Sequence, residues 1–179
     1  MKKFCSLLAC ICVQSLVAPV DIKAQGAQVA ERKFADFMVT LDKKDLRTLA
    51  ESPNEEETKR IGALISAQLM AKEAGKKVKV RFVCGNVSKI EQTQISYLQS
   101  KTGETAKAGS ITVNVSIFVE AGPSLKEKLK QCDYGRRVFV TGTLSEISMG
   151  RGSFNTGLYK GVKPPSISLS IIADDLGRS

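Results

Sequence analysis

From residue 77 onward, apolar residues recur at every second position in several separate segments. In residues 77–90 the residues of one face are Val78, Val80, Phe82 and Cys84. A period of two is that of a β-strand with one face in a core. The same pattern returns in residues 91–98, 111–119, 134–147 and 166–173. The alternation therefore predicts five strands and a mostly β fold with some helix.

Two glycines interrupt these strands at places where a strongly bent strand lacks room for a side chain. Gly85 lies in the middle of the long first strand, and Gly142 lies inside the fourth. Glycines within strands are typical of bulges and sharp bends. We therefore expect the first strand to bend and to serve two sheets.

The segments between the strands complete a recognisable order. Residues 100–110 are a polar loop, and Ser124 can cap a helix over residues 125–132. A long loop, residues 148–165, follows the fourth strand. The order strand, strand, strand, helix, strand, loop, strand is that of the OB-fold, a five-stranded Greek-key barrel with one capping helix.

Residues 77–175 resemble the OB-fold domains of the tRNA_anti-like type. The matching segments are residues 111–119, 125–132, 135–142 and 167–172. The resemblance implies a small barrel related to nucleic-acid-binding modules and common in exported bacterial proteins. It specifies the ligand poorly, because OB barrels bind single strands, sugars, peptides and proteins.

The first 24 residues have the three parts of a secretory signal peptide. A basic start, Met1-Lys2-Lys3, precedes an apolar run over residues 4–20 and a small residue, Ala24. We therefore predict export to the periplasm or the exterior, with no integral membrane domain after cleavage. The alternatives are a retained N-terminal membrane anchor and lipid attachment at Cys10.

Residues 25–76 form a helical N-terminal segment in this interpretation. Apolar residues recur at helical spacing, residues 52–54 break the pattern, and Gly75 is a natural helix end. The helices are expected to pack on the barrel or on each other, or to form an oligomerisation face. The barrel then spans residues 77–175, and residues 176–179 are a tail.

Two cysteines remain if the leader is removed. Cys84 shares strand phase with the first strand's apolar residues, and Cys132 shares a helix face with Leu125 and Leu129. Two core-facing cysteines in an exported domain predict a disulfide between Cys84 and Cys132. The alternative is a pair of buried free thiols.

Composition argues against catalysis and favours an anionic partner. The chain has a formal net charge of +9 and no histidine, so the commonest general base and zinc ligand are missing. We predict no catalytic residue, no cofactor and no metal site, and hence no enzyme. A basic surface suits polyanions, including nucleic acid.

The predicted ligand-binding residues lie on the 148–165 loop and on the outer strand face. The loop interleaves cations and rings, as a single-strand groove requires: Arg151, Phe154, Tyr159, Lys160 and Lys163. The outer face adds Lys79, Arg81 and Asn114 among other polar residues. It offers no aromatic pair in this interpretation, because Tyr97 is expected in the core.

Three functions remain open at this point. The first is an exported, non-enzymatic OB-fold module for an anionic or polar polymer, such as an oligosaccharide, or for a protein partner. The second is a single-stranded nucleic-acid-binding protein. The third is a structural interaction protein of the cell envelope. The sequence leaves the oligomeric state undetermined.

Overall fold

The computed structural model of the chain describes residues 29–33, 36–37, 41–52, 54–90, 94–151 and 164–179. Within these ranges the protein is mostly β, with six strands in one sheet and three α-helices. The predicted fold class, mostly β with α, is confirmed at this level. The predicted leader, residues 1–24, lies outside the described residues.

Two helices precede the sheet, and each begins at a capping side chain. Helix α1 (Lys43–Glu51) follows Asp42, and helix α2 (Glu55–Glu73) follows Asn54. Both side chains accept backbone N–H groups of the first turn, which have no partner within the helix. Three glutamates in the first turn of α2 also suit its positive end.

The strands account for the rest of the described chain. In chain order they are β1 (Lys77–Ile90), β2 (Ile95–Ser100), β3 (Thr105–Ala108), β4 (Ile111–Ala121), β5 (Arg137–Arg151) and β6 (Pro165–Arg178). A 3-10 turn (Pro123–Leu125) and the short helix α3 (Lys126–Leu129) connect β4 to β5.

Strand pairing runs through five strands and returns to its start. β1 pairs antiparallel with β2 and with β5, and β5 pairs antiparallel with β6. β6 lies parallel to β4, and β4 pairs antiparallel with β2. β3 pairs with β4 as a short addition. The inner face of this circuit holds the core.

Both glycines predicted to interrupt the strands lie at shifts of strand register. β1 pairs with β5 as far as Val83 and with β2 from Cys84, and its register shifts where Gly85 lies. Beside Gly142 the register between β5 and β6 shifts, and the extra residue is Asp174 of β6. A Cβ atom at Gly142 would collide with the carbonyl oxygen of Ile172, so the strands can pass this closely only at glycine.

Four elements differ from the sequence prediction. β5 runs to Arg151, so it includes residues 148–151 of the predicted loop. The polar loop 100–110 contains β3, whose short alternating sequence gave a weak strand signal. The helix predicted over residues 125–132 is a 3-10 turn followed by only four α-helical residues. The last strand extends to Arg178, so most of the predicted tail pairs with β5.

Helix α2 covers the edge of β5 that β1 leaves unpaired. The N–H of Met149 donates to the hydroxyl of Ser66 at 2.7 Å, and the N–H of Ile147 donates to the sulfur of Met70 at 3.0 Å. Uncovered strand edges invite association with other chains. The helical segment therefore packs on the sheet and supplies acceptors for two N–H groups of its edge.

This contact is close because of a glycine on the facing side of α2. Gly62, Ser66 and Met70 recur at every fourth position and share one helix face. A Cβ atom at Gly62 would lie 2.5 Å from the carbonyl oxygen of Met149. Only glycine lets the helix backbone approach the strand to this distance.

The structure does not contain the predicted disulfide between Cys84 and Cys132. Cys84 and Cys132 are both buried free thiols. The Cys84 thiol donates to the carbonyl oxygen of Cys132 at 3.1 Å, and the Cys132 thiol points to that of Lys128 at 3.7 Å. Burial raises the pKa of Cys84 to about 11 and also raises that of Cys132. Each sulfur is thus directed at a carbonyl group.

Among the helices that the structure describes, none is long and apolar enough to cross a membrane.

Replacing Gly62 by alanine should destabilise the protein. At an exposed helix position this change stabilises by about 0.5–1 kcal/mol, but here the methyl group would meet the Met149 carbonyl. We expect the free energy of unfolding, measured by urea denaturation, to fall by about 1–3 kcal/mol. Ala63→Gly, on the exposed side of α2, reports helix propensity alone at about 1 kcal/mol. A stabilised Gly62→Ala protein would contradict the close packing.

Candidate functional site

Strand β2 turns Tyr97 to the outside, and the prediction that Tyr97 lies in the core is wrong. Leu98 and Ser100 point inward, and the Ser100 hydroxyl accepts the N–H of Ile117 at 2.9 Å. Tyr97 and Gln99 therefore lie on the outer face, and the Tyr97 side chain is 36% exposed. A shift of one residue in strand phase moves every side chain to the other face.

Phe118 on β4 provides a second exposed ring beside Tyr97. Phe118 is 40% exposed and lies opposite Gln99, while Tyr97 lies opposite Glu120. The two rings are therefore diagonal neighbours across antiparallel strands, roughly 7–8 Å apart at their base. The prediction that this face has no aromatic pair is wrong.

An aliphatic side chain extends the exposed surface onto β6. Ile172 is 48% exposed and lies beside Glu120 in the parallel pairing of β4 and β6. Tyr97, Phe118 and Ile172 together form what we call the apolar patch. The half-buried Glu120 lies within it, between Tyr97 and Ile172.

A row of small polar residues continues the same face toward the start of β4. It consists of Asn114, Ser116, Ser166 and Ser168. Asn114 lies between Thr105 on β3 and Ser166 on β6. Its Nδ2 atom is buried without a hydrogen-bond partner among the described residues. Of the predicted ligand residues, Asn114 thus shares the face of the apolar patch.

Lys79 and Arg81 lie on another part of the surface. They belong to the half of β1 that pairs with β5, and β5 and β6 separate this half from β4. The Lys79 ammonium lies 4.6 Å from the centroid of the Phe139 ring. The Arg81 guanidinium contacts the Glu31 carboxylate at 2.7 Å and the Ser179 hydroxyl at 2.8 Å. The structure does not bring these two cations to Asn114.

Arg151 holds the end of helix α1. Its guanidinium donates to the carbonyl oxygen of Leu49 at 3.1 Å, to that of Ala50 at 3.2 Å and to that of Ser52. The last carbonyl groups of a helix lack partners within the helix, and a cation also suits its negative end. Arg151 thus has an internal role that the sequence analysis did not anticipate.

The remaining predicted loop residues, Phe154, Tyr159, Lys160 and Lys163, lie outside the described residues. Their contact with a ligand stays a prediction.

Two exposed lysines lie close to the outer face of β2 and β4. Lys107 on β3 lies opposite Thr112, and Lys101 directly follows β2. The Lys101 ammonium is 5.7 Å from the centroid of the Tyr134 ring. In the described part of the chain neither lysine has a carboxylate partner within salt-bridge distance, so both can meet an external anion.

A separate cavity of about 260 Å³ lies beside the first half of β1. Its lining includes Arg81, Arg137 and Glu104. The Glu104 carboxylate accepts the N–H of Val83 at 2.6 Å. Burial raises the pKa of Glu104, and the Val83 hydrogen bond and the Arg137 charge offset this only in part. Among the described residues, no group of three His, Cys, Asp or Glu side chains could hold a metal ion.

Of the two exposed rings, only Phe118 could be assigned to the outer face from the sequence. Phe118 follows Thr112, Asn114 and Ser116 at every second position, so the alternation of β4 already placed it outside. Tyr97 had no such signal, because Ile95, Tyr97 and Leu98 put apolar residues in both phases of β2. Only the burial of Leu98 in the structure decides which of the two phases of β2 faces the core.

No family model and no curated protein matches the chain. Among solved structures it is similar to the OBody AM3L09 bound to hen egg-white lysozyme, at 12% identity over 60% of this chain and 84% of that chain, with a TM-score of 0.34. It is similar to the Plasmodium falciparum SSB in complex with ssDNA, at 16% identity over 60% and 97%, with a TM-score of 0.33. It is also similar to the aspartyl tRNA synthetase from Entamoeba histolytica, at 16% identity over 63% and 21%, with a TM-score of 0.27. Similarity of this degree assigns neither a family nor a ligand to the chain.

Arg151→Ala should lower stability, because it leaves the carbonyl groups at the end of α1 without their donor. We expect the free energy of unfolding to fall by about 1–3 kcal/mol, with loss of helical circular dichroism. Arg178→Ala is the control: Arg178 is exposed, has no side-chain hydrogen bond in the described chain and should change stability by at most about 0.5 kcal/mol. Equal stability of both variants would refute this role of Arg151.

Glu104→Gln should stabilise the protein at neutral pH and not at acidic pH. The folded state raises the pKa of Glu104 above its unfolded value, so the native state disfavours the charged form. The resulting loss of stability is absent below about pH 4, where the carboxyl is protonated in both states, and develops as pH rises through the folded pKa.

Thermal unfolding of both proteins from pH 3.5 to 8 tests this. Glutamine keeps an acceptor for the Val83 N–H, and the gain should be modest because the carboxyl is partly solvated. Glu146→Gln changes the net charge equally at an exposed site on β5 and serves as the control. A gain for Glu104→Gln that is largest at acidic pH would contradict the assignment.

Proposed function

We propose that this chain is an OB-fold protein that binds single-stranded nucleic acid on the outer face of β2 and β4. The observation that carries the proposal is the pair of exposed, diagonally placed rings, Tyr97 and Phe118. OB-folds bind oligonucleotides on the face formed by their second and third strands. In this chain those strands are β2 and β4.

The strand circuit supports the OB assignment. Five strands pair in the order β1, β2, β4, β6, β5 and back to β1, with β4 and β6 parallel and a short helix between β4 and β5. A five-stranded Greek-key barrel has this connectivity. The closed barrel and the tRNA_anti-like type are part of the proposal.

Stacking explains how two rings can bind a strand of any sequence. Every base has a π face, and base stacking on an aromatic side chain contributes about 1–3 kcal/mol per base. Tyr97 and Phe118 are neighbours on adjacent strands, so successive bases of one extended strand can stack on them. The polar row from Asn114 to Ser168 offers hydrogen bonds to the sugar and phosphate groups beside them.

Charge supports the same ligand. The chain carries a formal net charge of +9, and the exposed Lys101 and Lys107 lie near the ring-bearing face. Lysines that neutralise phosphates release counterions, so binding weakens as salt rises.

The ring pair favours nucleic acid over an anionic or polar polymer or a protein partner, which was the first function considered from the sequence. That preference depended on a face without an aromatic pair and on the predicted export. Export, a membrane-anchored alternative, the lack of enzymatic activity and a role in the cell envelope remain predictions.

Loss of either ring should weaken binding to a fluorescein-labelled ten-residue DNA strand, measured by fluorescence anisotropy. Tyr97→Ala and Phe118→Ala should each raise Kd roughly 5- to 150-fold, equivalent to about 1–3 kcal/mol. Tyr97→Phe keeps the ring and should bind like the unaltered protein. Lys107→Ala should reduce the slope of log K against log salt by about 0.7, the value for one phosphate on a single strand.

Leu64→Ala is the control for removal of exposed apolar surface, because Leu64 is 44% exposed on α2. Its Kd should not change. Binding that survives the double replacement of Tyr97 and Phe118 would place the ligand elsewhere, and undetectable binding at low salt would refute the proposed function.

A further inference from the structure

Glu120 is an unpaired carboxylate in the middle of the proposed binding face. It lies opposite Tyr97 on β2 and beside Ile172 on β6, and it is half-buried. Among the residues that the structure describes, none forms a side-chain hydrogen bond or an ion pair with the Glu120 carboxylate. The other half-buried acid of the strands, Asp175, is paired with Lys128 and also accepts the N–H of Leu176 at 2.9 Å.

No contact within the described structure therefore compensates the charge of the Glu120 carboxylate. A half-buried charge among apolar side chains is unfavourable unless a donor compensates it. Glu120 also repels phosphate groups, so it weakens binding of every nucleic acid by the same electrostatic effect. A ligand group that donates hydrogen bonds to it would offset both effects.

The position of Glu120 fits a group on the edge of a stacked base. Directly opposed residues on antiparallel strands have Cβ atoms about 4.5–5.5 Å apart. A base that stacks on the Tyr97 ring therefore brings its edge within reach of the Glu120 carboxylate. Carboxylates accept hydrogen bonds from the cytosine N4 amino group, whereas thymine presents the O4 acceptor at the same place.

We infer that Glu120 is a specificity-determining residue that makes this face prefer bases with an exocyclic amino group, cytosine over thymine or uracil. The inference rests on the proposed function, because it needs a base on Tyr97. Two acceptors, the carboxylate and thymine O4, would face each other in the disfavoured complex. Cytosine instead satisfies the carboxylate.

The test compares ten-residue oligo-dC and oligo-dT at pH 7.5 and one salt concentration by fluorescence anisotropy. The measured quantity is the ratio of Kd for dT to Kd for dC. Glu120→Gln removes the charge and adds a donor for thymine O4. We expect both strands to bind this variant more tightly and the ratio to fall by roughly 5- to 20-fold, within the range for one base contact.

Glu146→Gln is the matched control. Glu146 is exposed on β5, and Ser170 of β6 separates it from Phe118. The change therefore removes the same charge farther from Tyr97 than Glu120 lies. It should leave the dT to dC ratio unchanged. Circular dichroism checks that both variants fold.

Three results would overturn the inference, and they are distinguishable. A ratio unchanged by Glu120→Gln, with both strands bound more tightly, would make Glu120 a source of repulsion alone and leave the proposed function intact. An equal fall in the ratio for Glu146→Gln would attribute selectivity to net charge. No binding of either strand would refute the proposed function, and the inference with it.

Discussion

The covered edge of β5 is the contact on which the rest of the structure depends. β5 pairs with β1 in its first half and with β6 along its whole length. Beyond Thr143, the edge of β5 that faces away from β6 has no strand partner in the described part of the chain. Ser66 and Met70 of α2 accept two of the N–H groups on this edge, those of Met149 and Ile147. Each buried N–H group left without a partner would lower the free energy of unfolding by about 1–3 kcal/mol. The helices are therefore part of one folding unit with the sheet, and removing them would expose an edge able to pair with another chain.

Most of the fold was predictable, because strands with one buried face carry a strict period of two. β1 has the predicted bounds, and the glycines at 85 and 142 lie at shifts of strand register. The cover of the β5 edge was not predictable. It depends on Gly62, Ser66 and Met70, and nothing in their types distinguishes a helix face against a strand from one against other helices. The role of Arg151 was hidden similarly, because its carbonyl partners lie about 100 positions away in the chain.

The candidate site was predicted less well than the fold. A single position of strand phase in β2 decided whether Tyr97 was core or surface, and a six-residue strand with apolar residues in both phases cannot fix it from sequence. The alternation of β4 was sufficient to predict that Phe118 lies on the outer face. The cations Lys79 and Arg81 were assigned to the same face as Asn114 because alternation identifies the outside of a strand and says nothing about which strands adjoin. Only the pairing order separates them.

The two buried thiols, Cys84 and Cys132, have a consequence for the chemical reactivity of the core. Because Cys84 and Cys132 each point to a carbonyl oxygen, the folding free energy includes no cross-link. Their raised pKa values keep both sulfurs in the slow-reacting thiol form at neutral pH. The two side chains therefore contribute to the core as small apolar groups that react slowly with oxidants and electrophiles.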